Sequence, residues 1–134
     1  MRVDRHKNKK CSMCGKDIWS SGKSGLCSDC LIKQRQEAKI AKWKECGDTN
    51  CKTATTIRGC IREYILNKQN CLCKICGIKN EWNGQKLNFV LDHIDGNASN
   101  NIESNLRLIC PNRDSQLDTF KSKNKNSARD YRRK

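Results

Sequence analysis

The chain has 134 residues, 28 Lys and Arg against 14 Asp and Glu for a formal net charge of +14, and 35% hydrophobic residues. With three Trp, two Tyr and two Phe and a mean hydropathy of -0.90, it holds too little apolar surface for one large core. No stretch is long enough to cross a bilayer, which excludes membrane-embedded function and leaves the 11 cysteines to staple the fold.

The opening MRVDRHKNKK is basic and carries no apolar signal region. The expectation is a cytoplasmic protein whose thiols stay reduced, so that Cys-x-x-Cys pairs read as zinc knuckles and not as disulfides. An odd number of cysteines points the same way. Cys11, Cys14, Cys27 and Cys30, in CSMCGKDIWSSGKSGLCSDC, form two such pairs separated by twelve residues. This spacing predicts a four-thiolate structural zinc in a ribbon or treble-clef-like finger over residues 1–34.

Residues 35–70 read as a helical connecting region. From 31 to 45 there is no Gly or Pro, and Leu31, Ile32, Ile40 and Trp43 supply apolar positions until Gly47-Asp48 ends the helix. Ile57, Cys60, Ile61, Tyr64 and Ile65 then recur at helical spacing, with Thr55 or Thr56 as cap. Arg58, Arg62 and Lys68 lie off that stripe, on a face expected to be solvated or to touch nucleic acid. Cys60 reads as a core residue, while Cys46 and Cys51 belong to no knuckle.

The third segment, 71–124, opens with CLCKICG, whose knuckle is Cys73 and Cys76. EWNGQKL reads as a turn. NFVLDHI and LRLIC read as two short strands joined by an Asn-rich loop. Pro111 suits the first turn of a following helix, with Leu117 and Phe120 as its core contacts. Cys110-Pro-Asn-Arg113 has knuckle spacing with Arg in the place of the second thiol. Residues 125–134 form a basic tail. Together with the basic start it predicts salt-sensitive, sequence-blind affinity for a polyanion.

CKICG, LDHIDGN, NLRLICPN and a following SQ, in that order, resemble the HNH endonucleases, the ββα-metal or His-Me finger nucleases of phages, mobile elements and restriction systems. The resemblance covers roughly residues 71 to 124. It implies a small, zinc-stapled α+β chain: an N-terminal ribbon, a helical middle and a C-terminal ββα-metal domain. It implies DNA as partner, cut or nicked to leave 5′-phosphate and 3′-hydroxyl ends. His93 would be the general base and Asn105 the residue that fixes the loop around it. Asp92 and Asp114 would hold a catalytic Mg²⁺ or Mn²⁺, an all-oxygen set suited to a hard cation. Asp118, one helical turn after Asp114, is the rival ligand. Lys121, Lys123, Lys125 and Arg129 would follow the DNA backbone.

The resemblance also implies a second structural zinc on Cys73, Cys76 and Cys110, with its fourth ligand missing because Arg113 cannot coordinate a metal. The lost ligand would loosen the base of the fold and a salt bridge from Arg113 would draw Asp114 away from the catalytic cation, so a weakened or inactive nuclease is expected. Two other function classes fit the residues: a zinc-containing DNA-binding protein without cleavage, and a zinc-dependent adaptor for protein partners.

Overall fold

The computed structural model describes residues 9–18, 24–47 and 57–127, apart from the side chains of Cys46, Ile57 and Arg58. Cys51, Thr55, Thr56 and Arg129, singled out above, lie outside the described residues. The chain divides into two compact units, Met1–Lys39 and Ile40–Lys134.

In the first unit β1 (Lys9–Lys10) pairs antiparallel with β2 (Asp17–Ile18). The turn between them carries Cys11 and Cys14. Helix α1 spans Ser28–Cys46 and so begins inside the second cysteine pair, three residues before its expected start. Asp29 in its first turn and Lys44 in its last complement the helix dipole. Gly47 ends it in the left-handed region, φ 60°, with its N–H on the Trp43 carbonyl at 2.9 Å. Only glycine fits there, because a Cβ would stand 2.7 Å from Ile102 Cγ2. Of the apolar positions assigned to this helix, Ile40 and Trp43 pack into the core of the second unit, whereas Ile32 is exposed.

That core consists of Trp43, Ile61, Ile65, Cys73, Phe89, Leu106, Leu108, Ile109 and Cys110. Helix α2 (Arg62–Lys68) follows a wide helical turn, Ile57–Ile61, which is kinked at Gly59. Cys60 is half-buried against the core, close to the expected role. EWNGQKL is a hairpin: β3 (Glu81–Trp82) and β4 (Gln85–Lys86) are joined by Asn83 and Gly84, both at positive φ. An Asn-Gly pair matches the twist of the two strands and closes them tightly.

β5 (Val90–His93) and β6 (Leu106–Ile109) form an antiparallel pair running from Val90↔Ile109 to His93↔Leu106. Gln69 closes the arrangement beside β6 like a piece of a third strand. Its Nε2 donates to the carbonyls of Leu72 and Leu108, each at 2.9 Å, and its Oε1 accepts from the Leu108 N–H at 2.9 Å. Lys68 stays on the exposed face expected of it, whereas Arg62 is half-buried. Arg62 donates to the Phe89 carbonyl, and Lys68 pairs with Glu103, which also accepts from Tyr64 Oη at 3.1 Å. These bonds fasten α2 to the strand pair and to the loop between its strands.

Helix α3 spans only Pro111–Ser115, which corrects the longer helix expected here. Leu117 still packs on the core, but from a turn, and Phe120 follows in another. Both are closed by i→i+3 bonds, Leu117 to Asp114 and Phe120 to Leu117. Among the described residues after Ser115 only Leu117 gains core contact, too little to offset the ordering of further helical turns. Asp118 is exposed in this turn region, so no helical register links it to Asp114.

Leu108, fully buried, and Gln69 give two stability tests. Leu108→Ala should cost about 2–5 kcal/mol through a cavity. Gln69→Ala should cost about 1–3 kcal/mol by leaving the Leu108 N–H and the Leu72 carbonyl without their partner. Denaturant midpoints at unchanged slope would report both losses.

Candidate metal centres and active site

The sulfur atoms of Cys11, Cys14, Cys27 and Cys30 all lie within 4.8 Å of one another, and so do those of Cys73, Cys76 and Cys110. The two clusters are built alike. In each, the first cysteine's N–H reaches five residues ahead, Cys11 to the Lys16 carbonyl and Cys73 to that of Ile78, both at 2.8 Å. In each, a glycine at φ 72° turns the chain, Gly15 and Gly77, and bonds back to that cysteine's carbonyl at 2.9 Å. In each, the second arm opens a helix and donates a backbone N–H to the first arm's sulfur: Cys27 to Cys11 Sγ at 3.3 Å, Cys110 to Cys73 Sγ at 3.2 Å.

Those N–H groups favour thiolate. Cys11 is lowered to about 6, first by the Cys27 N–H and then by that of Cys14. Burial pushes Cys73 up, but the N–H groups of Cys76, Cys110 and Ile75 outweigh it and leave the thiol at about 7. Within each cluster another thiol is driven the other way. Cys30 rises to about 12 through hydrogen bonding to Cys27 and Cys14, and burial raises Cys110. Several thiolates cannot crowd together unless a cation offsets their repulsion, so both clusters suit a thiophilic metal such as zinc.

The clusters differ at one position. Cys30, three residues after Cys27, completes the first, with its N–H 3.5 Å from Cys27 Sγ. Three residues after Cys110 stands Arg113, exposed, with its Nη1 donating to Gln116 Oε1 at 3.1 Å. The expected Arg113–Asp114 salt bridge is therefore replaced by a contact one helical turn ahead. Cys71 does not join the cluster; its N–H is held by the Leu66 carbonyl at 2.9 Å, and its own carbonyl accepts from Asn80.

A cleft of about 960 Å³ beside β5 includes Asp92, His93, Asp114, Phe120 and Lys121 in its lining. Period-two alternation puts Asp92 and His93 on opposite faces of β5, yet at the strand end both reach this cleft. Burial raises the Asp114 carboxyl, and the charge of Asp92 raises it further against the opposing pull of Lys121. The two carboxylates thus share one field. Asp92 is buried and accepts from Arg107 Nε at 2.7 Å through Oδ2. Arg107 faces it directly across the strand pair, a partner that the sequence reading missed.

The loop between β5 and β6 is organised around buried Asn105. Its Nδ2 donates to Asp95 Oδ1 at 2.9 Å and to the Asn100 carbonyl at 2.8 Å, while its Oδ1 accepts from the Asp95 N–H at 3.0 Å. Asp95 also accepts from Asn100 Nδ2 at 2.7 Å and from the Asn97 N–H at 2.8 Å. These donors, Asn100 first, hold its carboxyl below the usual range. At the far side of the loop Asn101 Oδ1 lies 2.9 Å from His93 Nε2. Its backbone carbonyl meanwhile accepts from Trp43 Nε1 at 2.6 Å. An amide oxygen only accepts, so this contact selects the neutral tautomer with its proton on Nε2 and its lone pair on Nδ1. Asn101 was not singled out from sequence, since nothing marks it among the four Asn of NASNNIESN.

Lys121, Lys123 and Lys125 are exposed after the cleft-lining Phe120, and Lys121 Nζ sits 4.9 Å from the Phe120 ring centroid. Among the described residues no helix is long and apolar enough to cross a membrane. Set against known proteins, the chain matches no family model, no curated protein and no solved structure.

Two measurements test this geometry. Zinc titration should saturate at two ions per chain, one for each cluster, and Cys73→Ser should remove one of them. The second concerns acid. Asp95 is depressed on folding, so its contribution is complete above the ordinary Asp value and is lost as pH falls through the lower folded value. Amide protection across residues 94–105, taken relative to the intrinsic exchange rate at each pH, should fall in that acid window, and Asp95→Asn should lack this pH dependence.

Proposed function

We propose that this chain is a metal-dependent endonuclease of the HNH type that cuts or nicks DNA. The observation that carries the reading is the convergence of His93, Asp92 and Asp114 on one cleft, with His93 held through Nε2 so that Nδ1 is left to accept a proton. A base with a free lone pair and a fixed ring is what water activation requires. Asn101 orients that ring, and Asn105 orients the loop that carries Asn101. Asp92 and Asp114 form an all-oxygen pair that would hold Mg²⁺ or Mn²⁺. When bound, such a cation relieves negative charge on the phosphate and on the leaving oxygen. Lys121 at the cleft, with Lys123 and Lys125 beyond it, would hold the DNA backbone in register without reading bases.

One observation favours a second reading, a DNA-binding protein without cleavage. Arg107 takes Oδ2 of Asp92, so a cation must share this carboxylate with a guanidinium or displace it.

Relaxation of supercoiled plasmid in Mg²⁺ or Mn²⁺ separates the two. Wild type should nick, His93→Ala should lose roughly 100-fold or more of the rate, and Asn101→Ala should fall between them. Binding by wild type and His93→Ala with no cutting by either would select the second reading. Equal cutting by the two would remove His93 from the mechanism.

A further inference from the structure

The two thiolate clusters act as an internal comparison. They share the N–H bond into the knuckle, the glycine at φ 72°, and the second-arm N–H on the first sulfur. The position three residues into the second arm is Cys30 in one and Arg113 in the other. Among the described residues, no fourth Cys, His, Asp or Glu joins Cys73, Cys76 and Cys110. Cys71, the nearest by sequence, is tied by its backbone to Leu66 and Asn80. The fourth quarter of this coordination sphere is also accessible. Cys76 and Arg113 are both exposed, and the Arg113 guanidinium is turned to Gln116.

We propose that the Cys73–Cys76–Cys110 cluster holds a metal ion with three protein thiolates and a fourth position that exchanges with an external thiolate. Tetrahedral zinc with four protein ligands is closed, whereas three protein ligands leave a place for an outside donor. Three thiolates on a divalent ion carry a net negative charge, which disfavours a further anion. The Arg113 cation at the knuckle's fourth position offsets that charge. A soft sulfur donor then suits a site already built from sulfur. The first cluster, with Cys30 in place, has no such position. The same chain thus carries a purely structural centre and a ligand-responsive one.

Cobalt(II) in place of zinc reads this directly, since its visible bands report the donor set. The full chain is loaded with two cobalt ions and titrated with 2-mercaptoethanol, beside Arg113→Cys and, to isolate the first cluster, Cys110→Ser. In wild type the expected result is a saturable shift of the bands from one of the two ions. That shift should be absent from Arg113→Cys, whose own thiol closes the sphere, and from Cys110→Ser, which retains only the four-cysteine centre. Three outcomes overturn the proposal. An unmoved wild-type spectrum means that the fourth donor comes from within the chain. Equal shifts in wild type and Arg113→Cys mean that the added thiol displaces a cysteine. Failure of wild type to bind a second cobalt means that three thiolates do not make a site.

Discussion

The convergence of Cys73, Cys76 and Cys110 is the constraint on which the larger unit depends. Cys73 and Cys110 belong to the buried core as well as to the thiolate cluster, so core and metal site share a wall. Cys110 ends β6 and begins α3, and Cys73 lies just beyond α2. One cluster therefore sets where the strand pair stops, where Asp114 is presented and how the helical part meets the sheet. Among the described residues the buried apolar core is nine residues, a small reserve for a unit of this length. A metal held by these thiolates would supply folding free energy of a kind that such a core cannot.

A polar network does on the opposite side what the cysteines do at the base. Asn105 is buried with its amide donating twice and accepting once. A buried amide satisfied on both ends rigidifies its surroundings, because each broken bond would leave a desolvated group. Asn105 thereby fixes Asp95 and the Asn100 carbonyl, and the adjoining Asn101 is held by Trp43 on one side and meets His93 on the other. The imidazole is thus positioned by a chain of contacts that starts from a fully buried indole. The Asp92–Arg107 pair belongs to the same economy of buried polarity. A carboxylate on a buried strand position needs a partner, and the residue directly opposite supplies it.

Basic charge is unevenly used. Arg62 and Arg107 are engaged inside the fold and Lys68 pairs with Glu103 at the surface, whereas Lys121, Lys123 and Lys125 stand exposed along the segment after Phe120. A net charge of +14 therefore divides into cations that hold the structure and cations that face outward.

By itself the sequence determined the features set by short-range chemistry. Cysteine spacing marked both clusters, the apolar runs marked β5 and β6, and Pro111 marked the start of α3, since each depends on residues a few positions apart. It also placed His93, Asn105, Asp92 and Asp114 among the residues worth locating. Tertiary structure alone decided their partners. Arg107 for Asp92, Asn101 for His93, Gln69 beside β6 and Glu103 for Lys68 are chosen by register and by loop path, and one Asn or Arg resembles the next until those are known. It likewise decided that α3 stops at Ser115. Helical propensity continues past that point, but the core surface against which a longer helix would be buried does not.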